Sequence, residues 1–335
     1  MRKTFDKVAP NAKVMLHIFE HTIKPIILYG SEIWGFFSPI KFSNNIDKYI
    51  RKEIDSLIVE KLHTKCCKYI LGVRTKSSND ASRGELGSLP ILYCVILNLI
   101  KYWCHINKTD PKCRTTSLLY NAFIMSKNMD NEKKESWVGC IREIFKYLKL
   151  DFLFQNSDKF KTNYIINKVK LTLRSKFVFI WKENLHNDNK RNSNCGNKLR
   201  TYRTFKRDFT FEPYLLIGKR EEKQMLTKFR ISDHSLEIER GRYIGLDVKD
   251  RICKNCNYEI EDELHFLLKC HMYTNERDNH LSNIMKINKN FHKLSYEDKF
   301  IWLLSSEDKD IIKIIYMMLK VFYTKRNNTI DKNQG

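Results

Sequence analysis

Glycine and proline are scarce, eleven and six in 335 residues. So few chain breakers argue against many short strands joined by tight turns and favour long helices. No stretch approaches the roughly 18 consecutive apolar residues that would span a bilayer. The first residues, MRKTFDKVAPNAKVML, carry charges where a secretion signal needs an apolar core. The expectation is an intracellular chain, in the nucleus or the cytoplasm, with no membrane partner. Its ten cysteines then read as reduced thiols, most of them buried and some bound to metal.

The signatures of catalysis are also missing. There is no Walker A loop, GxGxxG, HExxH or GxSxG. Adjacent aspartates and the dipeptide Pro-Asp occur nowhere. Two-metal phosphoryl transfer needs convergent carboxylates, and the acids here are scattered or sit beside a cysteine cluster. No residue is nominated as catalytic, and the chain on its own is expected to be no enzyme.

What is present in excess is positive charge: 61 Lys+Arg against 39 Asp+Glu, a net +22. An excess of that size attracts polyanions whatever the fold, and nucleic acid is the commonest of them. Hydrophobic residues make up 42%, with twenty Phe and sixteen Tyr, enough for a substantial core.

The expected fold class is mainly α. Val14 and Ile18 open a helix that Pro25 should end, and IKPIILYGSEIWG (23–35) reads as a strand or buried turn. A long helix is expected over 44–71, stopped by Gly72, and another from Pro90 through Trp103. GELGSLP (84–90) connects them. Further helices fall at 131–149, 160–186, 219–230 and 307–325. The last carries an apolar stripe of Ile311, Ile314, Ile315, Met318 and Phe322 that reads as core. The Asn-rich stretch 186–198 has no periodicity and reads as a linker.

Cys253, Cys256, His265 and Cys270 follow the pattern Cys-x2-Cys-x8-His-x4-Cys. A CxxC pair on a tight turn delivers two thiolates to one edge of a tetrahedron, and four protein ligands close the site, as in structural zinc centres. Glu259, Glu261, Asp262 and Glu263 suit the start of a helix that would carry His265. Cys270 lies five residues on, about 140° round an ideal helix, so the last turn must loosen to aim it. His271 is an alternative fourth ligand. His63, Cys66 and Cys67, like Cys104 and His105, read as helix packing, because free cysteine behaves as a small hydrophobe.

Between Lys161 and Arg230 stand eighteen Lys or Arg and six Asp or Glu. Within that stretch KLRTYRTFKRDFTFEPY (198–214) interleaves cations with Tyr202, Phe205, Phe209 and Phe211. Two readings remain open: cations on phosphates with aromatics stacked on unpaired bases, or an amphipathic segment with its aromatics in the core. The candidate phosphate contacts are Arg200, Arg203, Lys206, Arg207, Lys219 and Arg220.

IKPIILYGSEIWG (23–35), LHTKCCKYILGVRTKSSNDASRGELGSLP (62–90) with KYWCHI after it, and KFRISDHSLEIERGRY (228–243) leading into the cysteine cluster form an ordered set. Together they resemble the carboxyl-terminal part of reverse transcriptases from non-LTR, LINE-type retrotransposons, over roughly residues 14–273. The resemblance implies a helical thumb-like or connector region (1–150), a basic helical segment and linker (151–218), and a small zinc-stapled helical domain (219–335). It implies zinc on Cys253, Cys256, His265 and Cys270. The family's palm motif, [FY]xDD, has no counterpart here, so polymerase activity does not carry over; neither does the PD…(D/E) nuclease of some relatives. The expected function is non-catalytic binding of template RNA or target DNA, with the catalytic part of a reverse transcriptase as a further partner. The alternative is a helical protein-interaction scaffold with a structural zinc.

Overall fold

The computed structural model describes residues 11–37, 50–51, 54–108, 117–131, 136–190 and 197–332. The protein is mainly helical, and among the described residues β pairing is confined to two isolated bridges, Leu86 with Phe211 and Ile252 with Ile260. No single helix among them is long and apolar enough to cross a membrane. The chain divides into two compact units made of interleaved segments. One holds residues up to His17, Thr64–Ser88 and everything from Lys182; the other holds Ile18–His63 and Leu89–Trp181. These units cut across the linear division at 150 and 218 expected from the sequence.

The second unit is organised by the helix Ile91–Asn107, whose Leu92, Val95, Ile96, Leu99, Ile100 and Trp103 are buried. Pro90 offers this helix no side-chain cap. The Glu60 carboxylate supplies one instead, accepting from the Leu92 N–H at 2.8 Å. The stretch 23–35 is not a strand. It forms the helices Lys24–Leu28 and Ser31–Phe37, joined at Gly30 with φ +68°. A short apolar run cannot be assigned by periodicity alone, and packing decides it. Here Gly35 lets Ser31–Phe37 lie against Ile91–Asn107, since a Cβ at Gly35 would meet Val95 at 2.6 Å. Nor does Pro25 end the preceding helix. A π turn over Phe19–Ile23 widens the backbone just before it, with the Lys24 N–H bonded to Phe19 O, and the proline sits where its missing N–H is tolerated.

Of the long helix expected over 44–71, residues 44–49 and 52–53 lie outside the described residues. Ile50 and Arg51 are helical, and from Ile54 the chain forms a 3-10 turn, Ile54–Ser56, followed by the helix Ile58–Leu71. Gly84, expected in a connector, lies inside the helix Asn79–Leu86, which Gly87 ends at φ +58°.

In the first unit the stripe of the closing helix Lys309–Lys332 is core, with Ile311, Ile314, Ile315, Met318 and Phe322 all buried. A buried ionic centre lies nearby. The Arg230 guanidinium donates to both Glu85 oxygens at 3.0 Å and to Glu212 at 2.8 Å. It also lies over the Phe205 and Tyr214 rings, 4.7 and 4.9 Å from their centroids. Tyr214 donates to Glu85 at 2.5 Å. The ion is fully hydrogen-bonded, the condition on which a buried charge is tolerable.

Candidate metal centre

Residues 251–261 form a knuckle. Cys253 N–H donates to Glu259 O at 2.8 Å and Glu261 N–H to Arg251 O at 3.0 Å, either side of the Ile252–Ile260 bridge. At the tip Asn257 takes φ +54° and its N–H donates back to Cys253 O at 2.7 Å. Asparagine is among the residues that accept this left-handed backbone. The tight turn aims Cys253 and Cys256 at the same space.

His265 and Cys270 bracket a π turn, His265–Lys269, closed by the Cys270 N–H on His265 O at 2.8 Å. This is the loosening that the x4 spacing demands. A five-residue hydrogen-bond step brings residues to one side that an ideal α turn would splay apart. Asp262 fixes its start by accepting the His265 N–H at 2.7 Å. The liganding atoms of Cys253, Cys256, His265 and Cys270 all lie within 4.8 Å of one another, and this group can hold a metal ion. A tetrahedron with Zn–S bonds of about 2.3 Å has edges of about 3.8 Å, so the donor set fits with a slight contraction. His271 is exposed and outside the group.

The acidic spacer does three further jobs. The Glu259 carboxylate stands 2.9 Å from His265 Nδ1, leaving Nε2 3.4 Å from Cys256 Sγ. Glu261 is buried, caps the helix Glu237–Tyr243 by accepting the Glu237 N–H at 2.7 Å, and binds Arg326 of the closing helix with both oxygens at 2.7 Å. Glu263 binds Arg200 at 2.7 Å, Ser232 at 2.7 Å and His234 at 2.9 Å. The turn itself rests on aromatics: Phe266 packs 4.9 Å from Tyr323, and Tyr273 stacks 4.7 Å from Phe322.

Titration follows this geometry. A hydrogen bond to Cys270, with burial, pushes Cys253 up to about 12, and the same bond holds Cys270 below the usual thiol range. Burial disfavours charge on His265, but hydrogen bonds to Cys253 and Glu259 outweigh it and raise the imidazole to about 9. The metal-free cluster therefore retains protons at neutral pH, which metal binding displaces.

The candidate phosphate contacts fare unequally. Lys206 is 4% exposed, its ammonium held by Thr210 O and the Glu212 carboxylate. Arg200 is clamped between Glu239 at 2.9 Å and Glu263 at 2.7 Å. Both are structural, which removes them from the set. Their carboxylate partners lie 6, 39 and 63 residues away along the chain, and no local pattern links the last two. Arg203 is half-buried and donates to Leu185 O, His186 O and Asn197 Oδ1. Arg220 is half-buried; Arg207 and Lys219 are exposed. Tyr202, Phe205 and Phe209 are buried and Phe211 half-buried, so the core reading holds for these aromatics. His63, Cys67 and Cys104 are likewise buried, but Cys66 is half-buried and His105 exposed, so the buried-packing reading does not hold for His105.

No known protein family, curated protein or solved structure matches the chain.

Proposed function

We propose that the chain is a nucleic-acid-binding, non-catalytic segment of the LINE-type reverse transcriptase kind, in which Cys253, Cys256, His265 and Cys270 hold a structural zinc. The observation that carries the reading is the convergence of one imidazole and three thiols within 4.8 Å of one another. Soft sulfur donors in a four-ligand set suit zinc, and four protein ligands leave no open position for activating water. Zinc bound there would supply cross-linking rather than chemistry. Glu259 would hold the His265 ring in its ligating tautomer, the usual role of a carboxylate behind a metal-bound histidine. The +22 charge supplies the attraction to a polyanion, and the ordered sequence blocks around the cluster supply the family reading.

A second reading, a zinc-stapled protein scaffold, is favoured by one observation: Lys206 and Arg200 are bound to internal carboxylates. Titration of the zinc-loaded protein with a labelled structured RNA across a range of salt separates the two. A log–log slope of several units is expected, each neutralised phosphate adding about 0.7 to 0.9. A folded sample with no binding, or with binding indifferent to salt, would leave the scaffold.

A further inference from the structure

One run of cations free of acids lies away from the cysteines. It lies on the helix Thr162–His186. From Phe160 through Lys182 the sequence has six Lys or Arg and no Asp or Glu. Ile165, Val169 and Leu173 are buried and define the inner face. Lys161, Lys168, Lys170 and Arg174 are exposed, and among the described residues none of them is held by a carboxylate.

At 100° per residue, the exposed positions fall into three strips. Lys168, with Lys161 just before the helix, forms one flank, and Lys170 and Arg174 form the other. Tyr164, Asn167 and Leu171 run between them, all exposed, Leu171 by 65%. An α-helix with its side chains is roughly 10–12 Å across, and the B-DNA major groove is about 12 Å wide. A helix seated there meets a phosphate wall on each side and base edges ahead. Two cationic flanks about a central strip of mixed polarity have that layout.

We propose, on the footing of the nucleic-acid reading above, that the outward half of this helix docks in the major groove of duplex DNA. The four flanking cations grip the two phosphate walls while Asn167 and Leu171 face the bases. Duplex RNA fits less well, since its major groove is too deep and narrow for side chains to read. An acidic partner helix fits less well too, because Asn167 and Ser175 interrupt the apolar seam such a helix requires.

The test uses the zinc-loaded full chain, a labelled DNA duplex of about 20 base pairs, and an RNA duplex of the same sequence. Binding is measured between about 0.05 and 0.2 M salt. The variant Lys161→Gln/Lys168→Gln/Lys170→Gln/Arg174→Gln removes both flanks. Lys289→Gln/Lys293→Gln/Lys309→Gln/Lys320→Gln makes the same change in net charge at exposed positions elsewhere. Both should keep wild-type melting behaviour. The expected result is a DNA slope reduced by about 3.6 in the helix variant, with affinity down at least tenfold, the control near wild type, and RNA duplex bound more weakly than DNA. Equal slopes in the two variants would overturn the helix assignment while the wild type's own binding kept the broader reading alive. Equal affinity for RNA and DNA duplexes would overturn the groove. A wild type that binds structured RNA but no duplex, or an acidic heptad peptide in place of nucleic acid, would overturn the proposal. A wild type that binds no nucleic acid would remove the broader reading with it.

Discussion

The Glu259 carboxylate stands 2.9 Å from His265 Nδ1, and the opposite ring nitrogen faces Cys256 Sγ at 3.4 Å. An imidazole carries one proton when neutral, so the nitrogen that donates to Glu259 leaves the other as the ligating lone pair. Glu259 is partly exposed and makes no contribution to the core. Its substitution should act on metal affinity alone. Glu259→Gln is expected to weaken zinc binding by about 10- to 100-fold in competition with a chelating dye. At a fixed excess of zinc the melting temperature should fall by the equivalent of that weaker binding, about 1.4–2.7 kcal/mol, while the metal-free protein melts as wild type.

Arg200 and Arg207 lie in the same basic run and should behave oppositely. Arg200→Ala takes one cation from Glu239 and Glu263, both buried, which keep Arg242 and the Ser232–His234 pair, and should cost about 1.5–3 kcal/mol in denaturant unfolding. The salt dependence of RNA binding by the protein that remains folded should be unchanged. Arg207→Glu with Lys219→Glu, at exposed positions, should leave stability within about 0.5 kcal/mol and weaken RNA binding across sequences.

Stability should fall in acid through Glu85. Burial alone would raise its pKa, but the Arg230 guanidinium, with Lys206, holds the carboxyl below the usual range. A group whose folded pKa is depressed stabilises above its unfolded pKa, about 4.3 for Glu. That contribution disappears as pH falls through the folded value. Glu85→Gln should therefore lose about 3–5 kcal/mol at pH 7. The gap to wild type, measured by urea midpoints, should narrow as pH drops below about 4.

Much of the helical content is legible in the sequence, because helix signals are local. The span 160–186 emerges as Thr162–His186 and 219–230 as Arg220–Arg230, each with its apolar positions repeating within one turn. The apolar run 23–35 hides its helices because what fixes them is Gly35 against Val95, sixty residues on. The ligand set is legible for a related reason: all four residues lie within eighteen positions, and the spacing itself requires a widened turn. The partners of Arg200 and Lys206 are not. Which cations face water is decided by distant carboxylates such as Glu239 and Glu263, and a basic run reads the same whether its charges are solvated or paired.

The metal centre stands or falls on the knuckle and π turn closing around a zinc held by three sulfurs and one nitrogen. Zinc X-ray absorption on the purified full chain, with metal content measured on the same sample, is the decisive measurement. One zinc per chain is expected, in a first shell of three sulfurs and one nitrogen, lost together with cooperative unfolding when a strong chelator is added. A chain that retains no zinc at equimolar metal, or melts identically with and without it, would rule that centre out.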